Sequence, residues 1–125
     1  MTDFELLDSS VWIAYLFEAR HREIIEAEKV FLLSTLSIFE IKKKLLEKGV
    51  SASSIAEKLQ FVKSKSFLIE PDELITELAA EISVKDKIPA IDSLIYATAV
   101  RNDAELITQD NDFKRLDKVR IVGDY

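Results

Sequence analysis

Five short apolar runs, separated by longer segments of helical periodicity, constrain this chain more than any other feature. The runs are "FELLD" at 4–8, "VFLLS" at 30–34, "SFLIEP" at 66–71, "AELIT" at 104–108 and "KVRIV" at 118–122. Each reads as a short strand. Helices are expected at 10–18, with Ser9 or Ser10 near the start, and at about 36–48, with Gly49 as the stop. "SASSIAEKLQFVKS" makes another, because Ile55, Leu59 and Val62 recur at helical spacing. Asp72 is placed to cap a helix running to about Val84, and "AIDSLIYATAVRN" reads as a helix ended by Asn102 and Asp103. "EIIEAEK" continues a helical or turn region, "KDKIP" reads as a loop, and "QDNDFKRL" as a loop with a short helical turn. Strands that alternate with helices and are mostly apolar predict an α/β fold. A short, mostly parallel central sheet would carry helices on both faces. A helical bundle is the competing architecture, since short apolar runs do not distinguish strand from helix. One domain spanning residues 1–125 is expected.

Composition narrows the chemistry. The chain is 48% hydrophobic and 32% charged, which suits a folded protein. Cysteine is absent, so disulfides and a thiolate nucleophile are excluded. His21 is the only histidine, which excludes a paired-histidine mechanism within one chain and argues against a zinc cage. His21 itself reads as an ordinary surface residue. The formal net charge of −6 does not favour bulk attraction to nucleic acid, so any such function needs a local basic patch or bridging cations. No apolar run approaches membrane-spanning length, and "MTDFELLD" lacks the basic region of a secretion signal. A cytoplasmic location without membrane contact is the expectation.

The acids at the seams of this pattern stand out. Asp8 ends the first strand and Asp110 follows the fourth; in open α/β sheets, sites gather beyond such strand ends. Alone, Asp8 reads as a turn or cap. Glu40 lies opposite the broad apolar side of Ile38, Phe39, Ile41, Leu45 and Leu46, and alone reads as a surface glutamate paired with Lys44. Asp92 is odder, because its helix is apolar nearly all round and a carboxylate there needs a partner; its ordinary role would be an N-cap. Asp110 and Asp112 flank Asn111, where the ordinary reading is a polar turn with Asp112 capping the turn that carries Phe113. Taken together, a doubly wound sheet brings Asp8, Glu40, Asp92 and Asp110 to one edge. Packed carboxylates repel, and some must protonate unless a cation joins them. Oxygen ligands favour Mg²⁺ or Mn²⁺. Such a set suits phosphodiester hydrolysis, where a divalent ion activates water and stabilises the leaving oxygen.

At this point the sequence resembles a known family. "LLDSSVWIAYL" is similar to the opening of PIN-domain nucleases and "LSIFEIKKKL" to their second acidic segment. "IPAIDSLIYATAVRNDAELITQDNDFKRL" is similar to the third and fourth segments run together. The pattern is most like that of the small VapC-like toxins of toxin–antitoxin pairs and covers about residues 5 to 122. The resemblance implies a three-layer α/β/α sandwich and metal-dependent cleavage of RNA. It puts Asp8, Glu40, Asp92 and Asp110 on the acidic ligand positions, with Asp112 close enough to assist or replace Asp110. Thr108 takes the small hydroxyl position before the fourth acid, and Ser9 and Ser10 stand for the hydroxyl pair after the first. Ser10 is expected to orient Asp8 or a water held by the metal. A homodimer and a small antitoxin partner are also implied, for which Trp12, Phe17, Phe39 and Phe61 offer apolar contacts.

Phosphate contacts are expected from the basic residues near the acids: Lys42, Lys43, Lys44 and Lys48, with Arg20, Arg22, Lys114 and Arg115 around the same edge. Lys43 shares the helix face of Glu40 and is the best of these. The leading reading is a toxin-like endoribonuclease, favoured by small size and the absence of an added RNA-binding domain. A housekeeping nuclease of RNA maturation or decay is the second. A non-catalytic partner-binding protein is the third, against which the retained acids argue. A small-molecule phosphatase lacks support, because Gly49 and Gly123 are the only glycines and no phosphate-cradling loop exists.

Overall fold

The structure, a computed structural model, describes residues 4–123. Its strands are β1 (Glu5–Leu7), β2 (Phe31–Ser34), β3 (Ser66–Ile69), β4 (Glu105–Thr108) and β5 (Val119–Ile121). Its helices are α1 (Ser9–Glu18), α2 (Arg22–Ile25), α3 (Thr35–Glu47), α4 (Ala52–Ser64), α5 (Glu73–Asp86) and α6 (Ala90–Arg101). The strands form one sheet in the order β3-β2-β1-β4-β5, parallel at every pairing. The helical-bundle alternative is thereby set aside. From β1 the chain winds outward through β2 and β3, then crosses back to β4 and β5. The reversal lies between β1 and β4, and ligand crevices of open α/β sheets open at such a reversal.

Side-chain alternation assigns the layers. Leu7, Leu33 and Ile107 point into a core shared with Val11, Trp12, Ile41 and Leu45, whereas Leu6, Leu32 and Leu106 point into the opposite core with Ile95 and Ala99. Helices α1, α3 and α4 therefore cover one face and α6 the other, with α5 packed on α6 through Ile75, Ala79 and Ala97. Because both faces are covered, consecutive strand residues are all buried, as in β2. Each fully buried large side chain contributes about 1.5–3 kcal/mol relative to exposure. At the sheet edge β3 departs from this pattern, with Phe67 62% exposed.

Three helices start as ordinary chemistry dictates. Ser34 Oγ accepts from Leu36 N–H at 3.1 Å, Ser51 Oγ from Ser54 N–H at 3.3 Å and Asp72 Oδ1 from Ile75 N–H at 2.9 Å. Gly49, with φ +74°, supplies the left-handed turn that ends α3. Helix α5 runs past the expected stop at Val84 to Asp86, so the first two residues of "KDKIP" are helical; Lys87, at φ 56°, takes the left-handed closing position.

Two expectations fail on packing grounds. The buried stripe of α3 is Ser37, Ile41 and Leu45, while Phe39 and Leu46 are 59% and 58% exposed. The apolar arc of the sequence is wider than the surface its neighbours cover. Trp12, expected to offer partner contacts, is fully buried and meets Tyr15 and Phe61 edge-on, with ring centroids 6.5 and 6.2 Å away.

Ser37 is fully buried in that stripe, and its hydroxyl has no hydrogen-bond partner among the described residues. Ser37→Ala removes an unsatisfied group and improves helix propensity. It is expected to raise unfolding stability by about 1 kcal/mol, read from the denaturant midpoint at unchanged slope. A loss of stability would mean that the hydroxyl is satisfied.

Candidate active site

The site begins where β1 stops. Leu7 pairs with Ile107, and Asp8 N–H extends the ladder by donating to the Ile107 carbonyl at 2.9 Å. Asp8 and Thr108, the next residue of each chain, consequently lie side by side. Thr108 Oγ1 donates to Asp8 Oδ2 at 2.8 Å, and Ser10 Oγ donates to the same oxygen at 2.8 Å. Each hydroxyl accepts in turn from the loop after β4: Ser10 from Gln109 N–H at 3.0 Å and Thr108 from Asp110 N–H at 3.0 Å. Asp8 occupies the N-cap position of α1 but its side chain makes no capping bond. Where Asp72 caps its helix, Asp8 is turned instead to the hydroxyls. It is 4% exposed, and burial pushes its pKa up against the opposing hydrogen bonds from the Thr108 and Ser10 hydroxyls and the Ser9 and Ser10 backbone.

The other acids arrive from three more elements. Glu40, half-buried on α3, accepts from Ser9 Oγ at 2.8 Å, which links α3 to α1. Its pKa is raised by burial and by the charge of Asp8, with the Ser9 bond and Lys43 opposing. Asp92 lies in the first turn of α6, whose N-cap is Pro89, so the capping role open to it in the sequence does not hold. Its pKa is pushed up to about 7, by burial first and then by the charges of Asp8, Asp110, Glu40 and Asp112. All five predicted acids therefore share one electrostatic neighbourhood. Asp110, not Asp112, caps the 3₁₀ turn Asn111–Phe113: its Oδ1 accepts from Asp112 N–H at 2.8 Å. Asp110 has the extended backbone a cap needs, and Asp112 lies exposed inside the turn.

A cleft of about 340 Å³ is lined by Ser9, Ile13, Glu40, Lys43, Lys44 and Ile91, among others, and Glu40 is the one predicted acid in its wall. Lys43 and Lys44 thus share a wall with Glu40. Arg20 instead pairs with Glu18 at 3.4 Å, and Arg22 with Glu26 at 3.3 Å. Lys114 is exposed at the end of the 3₁₀ turn, and Arg115 donates to the Asp86 carbonyl. His21, expected at the surface, is 6% exposed and its Nε2 meets Gln109 Oε1. Neither side of that contact was legible from the sequence, save that Gln109 stands between Thr108 and Asp110.

Among the described residues no group of three or more His, Cys, Asp or Glu forms a ready metal cage. The donor chemistry nevertheless fits a hard divalent cation. It is all oxygen, and the raised pKa of Asp92, due first to burial and then to the charges of Asp8, Asp110, Glu40 and Asp112, includes a repulsion that a cation relieves.

Comparison with known proteins bears on this geometry. The model of the PIN-domain family matches residues 6–119. No curated protein matches the chain. Among solved structures it is similar to a toxin–antitoxin complex from Klebsiella pneumoniae, with TM-score 0.78 and 21% identity over 93% of this chain and 95% of that one. It is also similar to VapBC2 from Rickettsia felis, bound to a promoter DNA fragment, with TM-score 0.76 and 17% identity over 96% and 98%. A third is VapC20 of Mycobacterium tuberculosis, a sarcin-ricin loop cleaving toxin, with TM-score 0.74 and 19% identity over 94% and 98%. At these identities the likeness is one of fold, and it bears out the α/β sandwich.

The raised pKa of Asp92 sets a pH dependence. The fold holds a proton on Asp92 that the unfolded chain, near 3.8, has released. The stabilisation from that proton is complete below about pH 4 and lost as pH rises through about 7. Without added metal, Asp92→Asn is expected to melt above the parent protein at pH 8, with the gap narrowing steadily toward pH 4. A gap of constant size across that range would contradict the crowding of charge around Asp92.

Proposed function

Because the chain belongs to the PIN-domain family, we propose that it is a divalent-metal-dependent endoribonuclease and the toxin of a toxin–antitoxin pair. The observation that carries this reading is the junction at the ends of β1 and β4, where Thr108 and Ser10 hold the buried Asp8 carboxylate, the Asp110 amide donates to Thr108 and Ser9 ties Glu40 to α1; the raised pKa of Asp92 agrees with it. Asp8, Glu40, Asp92 and Asp110 are the proposed ligands of Mg²⁺ or Mn²⁺, with Asp112 assisting. When bound, such an ion supplies Lewis-acid activation of water and charge stabilisation at the leaving oxygen. The chain's own groups do the rest. Ser10 and Thr108 hold Asp8 Oδ2 and so fix the direction of its carboxylate. Ser9 does the same for Glu40. Lys43 and Lys44 line the cleft beside Glu40 and are suited to receive the phosphates flanking the scissile bond.

The partner readings have narrower support. The similar Klebsiella structure is a toxin–antitoxin complex. An antitoxin and a second copy of this chain are the proposed partners here. Of the aromatic residues offered for such contacts, Phe17, Phe39 and Phe61 remain at least partly exposed, at 39%, 59% and 36%. No described helix is long and apolar enough to cross a membrane.

Purified protein is expected to cleave RNA only with Mg²⁺ or Mn²⁺, and chelation is expected to stop it. Asp8→Asn and Asp92→Asn are expected to lose cleavage while keeping the circular-dichroism spectrum of the fold. Full metal-dependent activity in D92N would remove Asp92 from the site; cleavage indifferent to chelation would sink the metal reading. Recognition is expected to follow RNA shape and exposed loops. Sequencing of RNA ends after controlled expression, beside a D8N control, should then give a few discrete positions. Equal cutting of random and structured RNA at limiting enzyme would count against the toxin and for a general decay nuclease.

A further inference from the structure

We infer that His21 is a positioning residue of the acidic site, acting through Gln109 to hold the Asp110 loop against α1; this rests on the metal-binding reading above. His21 is the only histidine of the chain, is 6% exposed, and adopts a left-handed backbone at φ 60°. Few residues other than glycine take that conformation, and a buried imidazole needs a partner. Both features serve one contact. The His21 carbonyl accepts from Ile24 and Ile25 N–H, each at 3.0 Å, which starts α2. Its Nε2 faces Gln109 Oε1. A carbonyl oxygen only accepts, so the imidazole presents Nε2–H as donor.

Gln109 is thereby held twice. Its main-chain N–H donates to Ser10 Oγ at 3.0 Å, at the start of α1, and its side chain is held by His21, beyond the end of α1. The residue before it, Thr108, donates to Asp8; the residue after it, Asp110, is an acid of the site. Repulsion among the acids pushes the Asp110 loop away from Asp8 and Asp92. The His21–Gln109 contact opposes that displacement from outside the acidic set. Loss of the contact widens the site and weakens its grip on a cation. Outer partners that orient metal ligands alter affinity by about 10–100-fold.

The test is a double-mutant cycle with His21→Asn, which tolerates the left-handed backbone but lacks the reach, and Gln109→Ala. The readouts are the rise in melting temperature on Mn²⁺ titration and, separately, kcat and KM for RNA cleavage. Each single variant is expected to need about tenfold more Mn²⁺ for half its effect. The double variant is expected to need no more than either single one. KM for RNA should not change, and the metal-free melting temperature should fall only slightly. A Mn²⁺ midpoint equal to the parent's in both singles, whatever their melting temperatures, overturns the inference, as do independent additive effects in the double variant. If H21N does not fold, Q109A alone decides by the same midpoint. Absence of any Mn²⁺ response in the parent protein overturns the metal reading itself and this inference with it.

Discussion

The pairing of β1 with β4 is the constraint from which the rest follows. It joins Asp8 to Thr108 across 100 residues of chain, at the one place where the sheet reverses its winding. Parallel register then carries both residues out of the sheet together, and the loop after β4 lands on the start of α1. Four hydrogen bonds among Asp8, Ser10, Thr108 and the Gln109 and Asp110 amides close that junction.

The junction is electrostatically expensive. Burial raises Asp8, Glu40 and Asp92 above ordinary carboxylates, and neighbouring negative charge adds to the rise at Glu40 and Asp92. Each raised group opposes the ionised fold, and the two apolar cores sustain it. Asp72 is the control within the same molecule: an aspartate at a helix start whose carboxylate caps the helix. Asp8 holds the equivalent place on α1 without capping, and Asp92 sits in the first turn of a helix begun by proline. Acids diverted from the local role that would satisfy them mark a site more clearly than acids alone.

Much of this was legible beforehand. Short apolar runs with helical segments between them dictate strands buried on both faces, and β2, buried at every position, is the plainest case. The cap at Asp72 and the stop at Gly49 follow from backbone chemistry within a few residues. The acids were legible as residues out of keeping with their surroundings, such as Asp92 in an apolar helix. Trp12 and His21 were misjudged for a common reason. Whether an aromatic or a histidine is covered depends on which neighbour lies over it, and periodicity reports only the face it occupies.

By itself, then, the sequence determined the elements, their order, and which residue types were available for chemistry: oxygen donors, hydroxyls and lysines, with no thiol and a single imidazole. Those properties depend on near neighbours in the chain. Tertiary structure alone decided that Ser9 serves Glu40 and that His21 is spent on Gln109. Both contacts are made by strand register and helix packing, and they join residues 31 and 88 positions apart. Local propensity carries no information at that separation.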